Sequence, residues 1–383
     1  MKRRVLAIIL TGLVAPGCLA LDDSFSDGPL LISALSNPTY FFFSDQSAST
    51  ESRAIVKRDF AGGLRLLSWS GGPGNIWKGA VVNGVIFALE NNNQDDVWIS
   101  RDDAVTWELF DAPSNNESEN ITNVIGCGTA VIITQSNVAY NGTSPRPGYI
   151  SYDSGLSWQE FRLGATPASP SGSGDYNVSA IDCNSEKIFV ASNNVTNVFQ
   201  WASLADLNNW TVATSHPASQ NGYPSIATSG NSLIGLACTT PGYCPYNPDV
   251  NYSLNNGEGM ALAGAMPHMG LEFTGVVEYG AGSFYVSELD QTNDICRIYN
   301  LGNGAMSPSS SPVGAISCAD IGNPQRMPAL LVSSSGIFAS YSSFSGTETG
   351  AVFSGDGGNT LTKIDLNSVF SGDGIVTSID DAQ

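Results

Sequence analysis

The side chains best suited to chemistry in this 383-residue chain are few and scattered. Two histidines, His216 and His268, could form a metal pair or an acid–base couple. Neither has a partner at ligand spacing, so solvated loop histidines are the simpler reading. Acidic groups gather at Asp95-Asp96, at Glu288, Asp290 and Asp294, and at Asp380-Asp381. Carboxylates of this kind could hold Ca²⁺ through oxygen. None has EF-hand or nonapeptide spacing, so they read as solvated acidic loops, and no resident cofactor or metal is expected. There is no Gly-x-Ser-x-Gly elbow, no phosphate-cradling glycine loop and no His-Glu-x-x-His.

Cysteine is the next reactive group. Cys18 lies in the first twenty residues, MKRRVLAIILTGLVAPGCLA, where three basic residues precede an apolar run from Val5 to Val14 and then small residues. This is the build of a secretory signal peptide over residues 1–20, which leaves a chain of residues 21–383. The run is too short for a membrane span, and no later stretch is long and apolar enough. The rival is a bacterial lipoprotein acylated at Cys18, but Ala15-Pro16-Gly17 is an unusual approach to such a site. A secreted, periplasmic or cell-surface location is the expectation. Without Cys18, six cysteines remain: Cys127, Cys183, Cys238, Cys244, Cys296 and Cys318. An even number and no CxxC suit disulfides in an oxidising compartment. Seven N-x-S/T sequons, at Asn116, Asn120, Asn141, Asn177, Asn194, Asn209 and Asn251, permit glycosylation but are about as many as chance supplies in a chain so rich in Asn, Ser and Thr.

Composition narrows the class. Fifteen Lys and Arg against 35 Asp and Glu give a formal charge of −20, which excludes the basic face a nucleic-acid partner needs. It also disfavours docking on anionic lipid. Only 13% of residues are charged while 41 are Gly and 19 are Pro, which excludes a long-helix protein. A hydrophobic fraction of 42% is ample for a large core and argues against disorder.

The elements that position these groups emerge from self-similarity. SRDDAVTW at 100–107 and SYDSGLSW at 151–158 share Ser-x-Asp-x-Gly-x-Thr/Ser-Trp, with Ala104 in place of Gly in the first. SGDGGNTL at 354–361 fits with Leu361 for Trp, and weaker copies start at 57, 203, 253 and 300. The seven starts are 43 to 54 residues apart. Each is preceded by a short apolar run: FFF at 41–43, VIF at 85–87, VII at 131–133, IFV at 188–190, LIG at 233–235, FYV at 284–286 and IFA at 337–339. Two landmarks in step predict one four-stranded antiparallel unit per repeat, with the box turn between strands C and D. A lone sheet cannot bury both faces, whereas seven packed radially can, so the fold expected is an all-β, seven-bladed β-propeller in a single domain. In the box, Gly permits positive φ, Asp accepts backbone N–H groups and Trp packs between sheets. A final phrase, GIVTSID at 374–380, looks like an extra strand that could pair with the first blade.

These boxes resemble the Asp-box (BNR) repeat of sialidase-like and sortilin-like β-propellers, over essentially all of residues 30–370. The resemblance implies that Ser100, Asp102, Trp107, Ser151, Asp153, Gly155, Trp158, Ser354, Asp356 and Gly358 are structural turn residues on the face opposite the ligand site. It also suggests an activity to test. Sialidase chemistry uses three arginines for the substrate carboxylate, a Tyr–Glu nucleophile pair and an Asp acid/base. Arg53, Arg146 and Arg326 could reach one face from three loops, with Tyr243, Tyr246, Asp95, Asp96, Glu288 and Asp290 as companions, while Arg101 lies in a box and should face away. The family's Arg-Ile-Pro motif is absent, its nearest phrase being CRIYN at 296–300, and sialidases have six blades. Photosystem-assembly members use an arginine-rich patch to meet a partner, and this chain has few arginines. The expectation is therefore a non-enzymatic scaffold binding an extracellular protein or glycan, with glycoside hydrolysis by loop-face carboxylates and arginines as the alternative.

The propeller reading also places the cysteines and loops. The B–C and D–A connections, long at 134–148, 162–177, 213–223, 237–250, 262–274 and 306–328, would form the ligand face. Cys238 with Cys244 would pin one B–C loop. Cys296 with Cys318 would tie strand C of the sixth blade to the next connection. Cys127 with Cys183 would staple the third and fourth blades.

Overall fold

The structure, a computed structural model, describes residues 37–44, 54–90, 96–111, 121–135, 147–163, 178–192, 199–213, 223–237, 249–265, 276–290, 293–302, 312–343, 349–370 and 374–381. These form seven four-stranded antiparallel sheets and two short 3₁₀ turns, a seven-bladed propeller. Strands A to D run from the axis outward. In blade 2 they are Ile76–Val82, Val85–Glu90, Asp96–Ser100 and Glu108–Asp111. In blade 3 they are Ile121–Cys127, Ala130–Gln135, Pro147–Ser151 and Gln159–Arg162. Blade 4 has Val178–Cys183, Lys187–Ser192, Phe199–Ser203 and Asp206–Val212. Blade 5 has Ser225–Ser229, Ser232–Ala237, Asp249–Ser253 and Ala261–Ala265. Blade 6 has Val277–Gly280, Ser283–Asp290, Ile295–Gly302 and Gly314–Ser317. Blade 7 has Leu330–Ser333, Gly336–Ser342, Thr349–Ser354 and Thr362–Ile364. No helix among the described residues is long and apolar enough to cross a membrane.

Blade 1 differs. Its strands B, C and D are Thr39–Ser44, Ala54–Arg58 and Leu64–Leu66, and its strand A is the C-terminal Ile375–Asp381. That strand pairs antiparallel with Thr39–Ser44, so the two ends of the described chain share one sheet and close the ring. Closure of this kind covers the inner edge of Thr39–Ser44 and completes the fourth strand of blade 1. The Asp380-Asp381 pair therefore lies in an inner strand and not in the solvated loop expected above.

The apolar runs are the strands B, and their composition has a physical cause. A strand B sits mid-sheet between two neighbouring blades, so both of its faces are covered. Phe41 and Phe43 pack toward blade 7, while Tyr40 and Phe42 pack toward blade 2. Seven apolar clusters result, each filling the space between two successive blades. Gly79 marks a close approach of blades 1 and 2, because a Cβ there would stand 2.1 Å from the Phe42 ring.

Two expectations are corrected. The segment 306–328 is not one long loop: strand C of blade 6 runs on to Gly302, and strand D, Gly314–Ser317, and a 3₁₀ turn over Cys318–Ile321 occupy its second half. The weak repeat copy at 300–307 thus begins inside a strand. The cysteine pairing is also mixed. Cys127 and Cys183 end strands A of blades 3 and 4 and are joined by a disulfide. Cys296 and Cys318 are buried neighbours with their Sγ atoms 3.2 Å apart, but as two thiols. Cys238 and Cys244 lie outside the described residues.

Candidate functional site

The A–B turns and C–D turns share one face, the turn face. The B–C and D–A connections form the other, the loop face. At the turn face the repeated box residues build the same hydrogen-bond set three times. Asp153 Oδ1 accepts from Ser151 Oγ and from the Ser157 N–H, both at 2.8 Å, and Oδ2 accepts from Ser157 Oγ at 2.6 Å. Asp102 does the same with Ser100 and Thr106, and Asp356 with Ser354 and Thr360. In each turn the Ser Oγ also accepts the N–H of the fifth residue, Ala104, Gly155 or Gly358. Donation from Ser157 and Ser151 holds the Asp153 carboxyl down at about 2, and Asp356 is held at about 2 by Thr360 and Ser354. The aromatic that closes the turn packs between blades. Trp158 stacks on Phe110 with centroids 4.7 Å apart, and Trp107 meets Trp69 edge-on.

Further bonds run from blade to blade across this face. Arg101 Nη1 donates to the Ser154 carbonyl at 2.7 Å. Tyr152 Oη donates to the Leu204 carbonyl, and Asn184 to the Gly230 carbonyl. Lys187 Nζ donates to Asn231 and Asn256 of blade 5. Asp103, at φ 61°, is held by Lys57, Arg65 and Tyr40 of blade 1.

On the loop face, four of the nine glycosidase candidates, Arg326, Asp96, Glu288 and Asp290, fall among the described residues; Glu288 and Asp290 share one arginine, whereas Asp96 opens strand C of blade 2 and Arg326 lies against blade 7. Arg53, Arg146, Tyr243 and Asp95 lie outside them, as do Tyr246, His216 and His268. Arg326 donates through Nε to Ser342 Oγ at 3.2 Å, against blade 7. Glu288 is fully buried on the blade 5 side of blade 6. There Arg297 Nη1 donates to Glu288 Oε2 at 3.1 Å and to Asp290 Oδ2 at 2.8 Å. Glu288 and Asp290 are 0% and 1% exposed. Burial pushes the Asp290 carboxyl up, but Asn293 and Arg297 outweigh it and leave the group below its usual range. The guanidinium bonds to both buried carboxylates, so the cluster is an internal ion-pair network and not an open acid–base site.

Sequence reasoning missed the central channel. Four of the inner strands carry a charged residue that faces the axis region: Lys78, Asp182, Glu278 and Asp380. Each lies deep in the protein yet keeps some contact with solvent. Asp182 accepts from Thr228 Oγ1 of blade 5 at 3.0 Å, and Asp380 accepts the Val81 N–H of blade 2 at 2.8 Å. Burial raises Asp182 to about 6 and Asp380 to about 7. Burial also raises Glu278 well above its usual range, and the charges of Asp182 and Asp380 raise it further, so the three converge from blades 4, 6 and 1. By register they occupy the half of the channel nearer the turn face. Lys78 sits two positions in from the loop-face end of its strand, and Nζ donates to Asn123 Oδ1 at 2.9 Å. The signal was present in the sequence: one charged residue inside an otherwise apolar phrase, as in IWKGAVV and VSAIDC.

The loop-face mouth of the channel is irregular on one side. Strands A of blades 1, 2, 3 and 4 each carry an extra residue near that end: Thr377, Trp77, Thr122 and Ser179. Strands A of blades 5, 6 and 7 pair without a shift. Bulges favour the rims of closed sheets, where they re-aim side chains. Trp77, 38% exposed, is the largest such residue, and Thr377 Oγ1 donates to its carbonyl at 2.6 Å.

Among the sequons, Asn251 is fully buried and donates to Tyr223 Oη at 3.0 Å, so it cannot carry a glycan in the folded protein. Asn209 is exposed on strand D of blade 4. The other five lie outside the described residues. No group of three or more metal-ligating side chains assembles among the described residues.

No protein-family model matches the chain, and no curated protein matches it. Solved structures do. A putative 6-phosphogluconolactonase from Bacteroides uniformis is 10% identical, with a TM-score of 0.56 over 91% of this chain and 98% of that one. An ancestral GH74 enzyme is 12% identical, with a TM-score of 0.55 over 86% of this chain and 47% of that one. Virginiamycin B lyase from Staphylococcus aureus is 12% identical, with a TM-score of 0.50 over 78% of this chain and 90% of that one. At such identities the likeness is one of fold, and propellers host unrelated activities.

Proposed function

We propose that this protein is a secreted, non-enzymatic β-propeller scaffold that holds an extracellular protein or glycan on its loop face. The observation that carries the reading is the division of labour between the two faces. The turn-face polar groups named above are engaged within their own turns or with the next blade, which suits a structural role. The resemblance of those turns to Asp boxes supports the same assignment. The loop face carries the long connections and the irregular channel mouth, and ligand sites concentrate on such loops.

The glycoside hydrolase alternative needs two carboxylates flanking an open site at about 5–10 Å, with room for a sugar between them. Glu288 and Asp290 instead share the Arg297 guanidinium, and both are buried. A glycan array run beside a panel of aryl glycosides separates the two readings. Saturable binding without turnover is the expected result, and turnover of any aryl glycoside overturns it. Loop-face placement is tested in the same assay. Leu156→Ser at the turn face should leave binding unchanged, whereas exchange of the 134–148 connection should abolish it.

A further inference from the structure

The loop-face half of the channel holds an unusual cation. Lys78 is half-buried, and among the described residues its ammonium has one partner, the neutral Asn123 side chain, with no carboxylate within 4 Å. An ammonium drawn partly out of water without a counter-charge gains from an anion that meets it. The three channel carboxylates do not serve. They lie toward the other end of the channel, and burial lowers the Lys78 pKa. Directly before Lys78 in the chain is Trp77, placed at the mouth by a bulge and exposed there. Thr377 occupies the matching bulge of the neighbouring blade 1 strand, and its Oγ1 donates to the Trp77 carbonyl.

We propose that Trp77, Lys78 and Asn123 form a binding site for an acidic sugar at the loop-face mouth of the channel. The Lys78 ammonium takes the sugar carboxylate, and the Trp77 indole carries the ring. The chemistry follows from the residue types. The ammonium supplies the charge that a carboxylate needs, and Asn123, whose Nδ2 donates to Thr134 Oγ1 at 3.3 Å, holds the ammonium in place through Oδ1. An exposed indole offers a flat apolar face with little conformational entropy to lose, which fits the apolar face of a pyranose. The four bulges lie on adjacent inner strands, those of blades 1 to 4, and Trp77 stands in one of them. The overall negative charge of the chain does not oppose this, since exposed charges beyond about 8 Å are screened at physiological salt while the local ammonium is not. The site rests on the scaffold reading and names the class of glycan that the loop face takes.

Calorimetric titration of the full chain with methyl β-glucuronide, methyl β-glucoside and a poly-glutamate peptide tests it. Saturable binding of the glucuronide is expected, at least tenfold weaker for the uncharged glucoside and absent for the peptide. Trp77→Ala removes only an exposed ring and should weaken glucuronide binding at least tenfold with an unchanged melting temperature. Lys78→Met should abolish the preference for glucuronide over glucoside. No glucuronide binding by the parent protein, equal binding by the Trp77→Ala variant, or binding of the peptide in place of the sugar each overturns the proposal. Array binding to neutral glycans that glucuronide does not compete would leave the scaffold reading standing and remove this site alone.

Discussion

The Asp380 carboxylate accepts the backbone N–H of Val81 at 2.8 Å, across 299 positions of sequence. Two more bonds run alongside it. Ser378 Oγ accepts the Gly79 N–H at 2.9 Å, and Thr377 Oγ1 donates to the Trp77 carbonyl. The closing strand is thus paired with blade 1 through its backbone and tied to blade 2 through its side chains. It also supplies Val376 and Ile379 to the core between blades 7 and 1.

Removal of residues 374–383 should therefore do more than trim an end. It exposes the inner edge of Thr39–Ser44 and opens one of seven inter-blade cores. The truncated chain should lose cooperative thermal unfolding and form aggregates in gel filtration. A sharp melt close to that of the full chain would show that closure does not depend on this strand.

Stability should fall as pH rises across the range of the channel carboxyls. Asp380 and Asp182 are raised in the folded state to about 7 and about 6, so the folded form binds their protons more tightly than the unfolded chain does. Stability linked to them is present below pH about 4 and is lost as pH rises through 6 to 7. Asp380→Asn keeps an acceptor for Val81 and removes the charge. At pH 8 it should stabilise the protein by roughly 1–3 kcal/mol, after allowance for water in the channel, and at pH 4 it should change little. Denaturant melts at the two pH values read the difference directly.

The turn aspartates act in the opposite sense. Asp153 and Asp356 are held at about 2, so the stability they contribute is present above their ordinary range and is lost as pH falls toward 2. Asp153→Ala removes an acceptor from Ser151 and Ser157 at once. It should lower the melting temperature at pH 7 and have a smaller effect at pH 2. An equal effect at both values would mean that the carboxylate charge is irrelevant to the turn.

The cysteines divide into a formed and an unformed link. Cys127 and Cys183 are 56 positions apart, and their joint replacement by Ser should cost about 2–4 kcal/mol, read from denaturant midpoints. Cys296 and Cys318 touch as thiols. Mild oxidation of the folded protein should join them to each other and to no other cysteine, as read by non-reducing peptide mapping.

Much of the architecture was legible before any coordinates. The Ser-x-Asp phrases and the apolar runs recur in phase because each blade must make the same C–D turn and bury the same strand B on both faces. Local chemistry of that kind is written in adjacent residues. Ser151, Asp153 and Ser157 satisfy one another within seven positions, so their roles could be read from spacing. Other properties depend on which blades meet, and no spacing encodes that. The partner of Asp380 lies in blade 2, the charges acting on Glu278 come from blades 4 and 1, and Arg297 claims both Glu288 and Asp290 beneath a face on which they looked available. Asn251 kept the form of a sequon, yet burial against Tyr223 removed its access. Sequence alone determined the repeat, the strand order and the turns, since these arise from contacts between near neighbours. Only the closed ring decided which charges meet in the channel, because desolvation and long-range pairing exist only once seven sheets surround one axis.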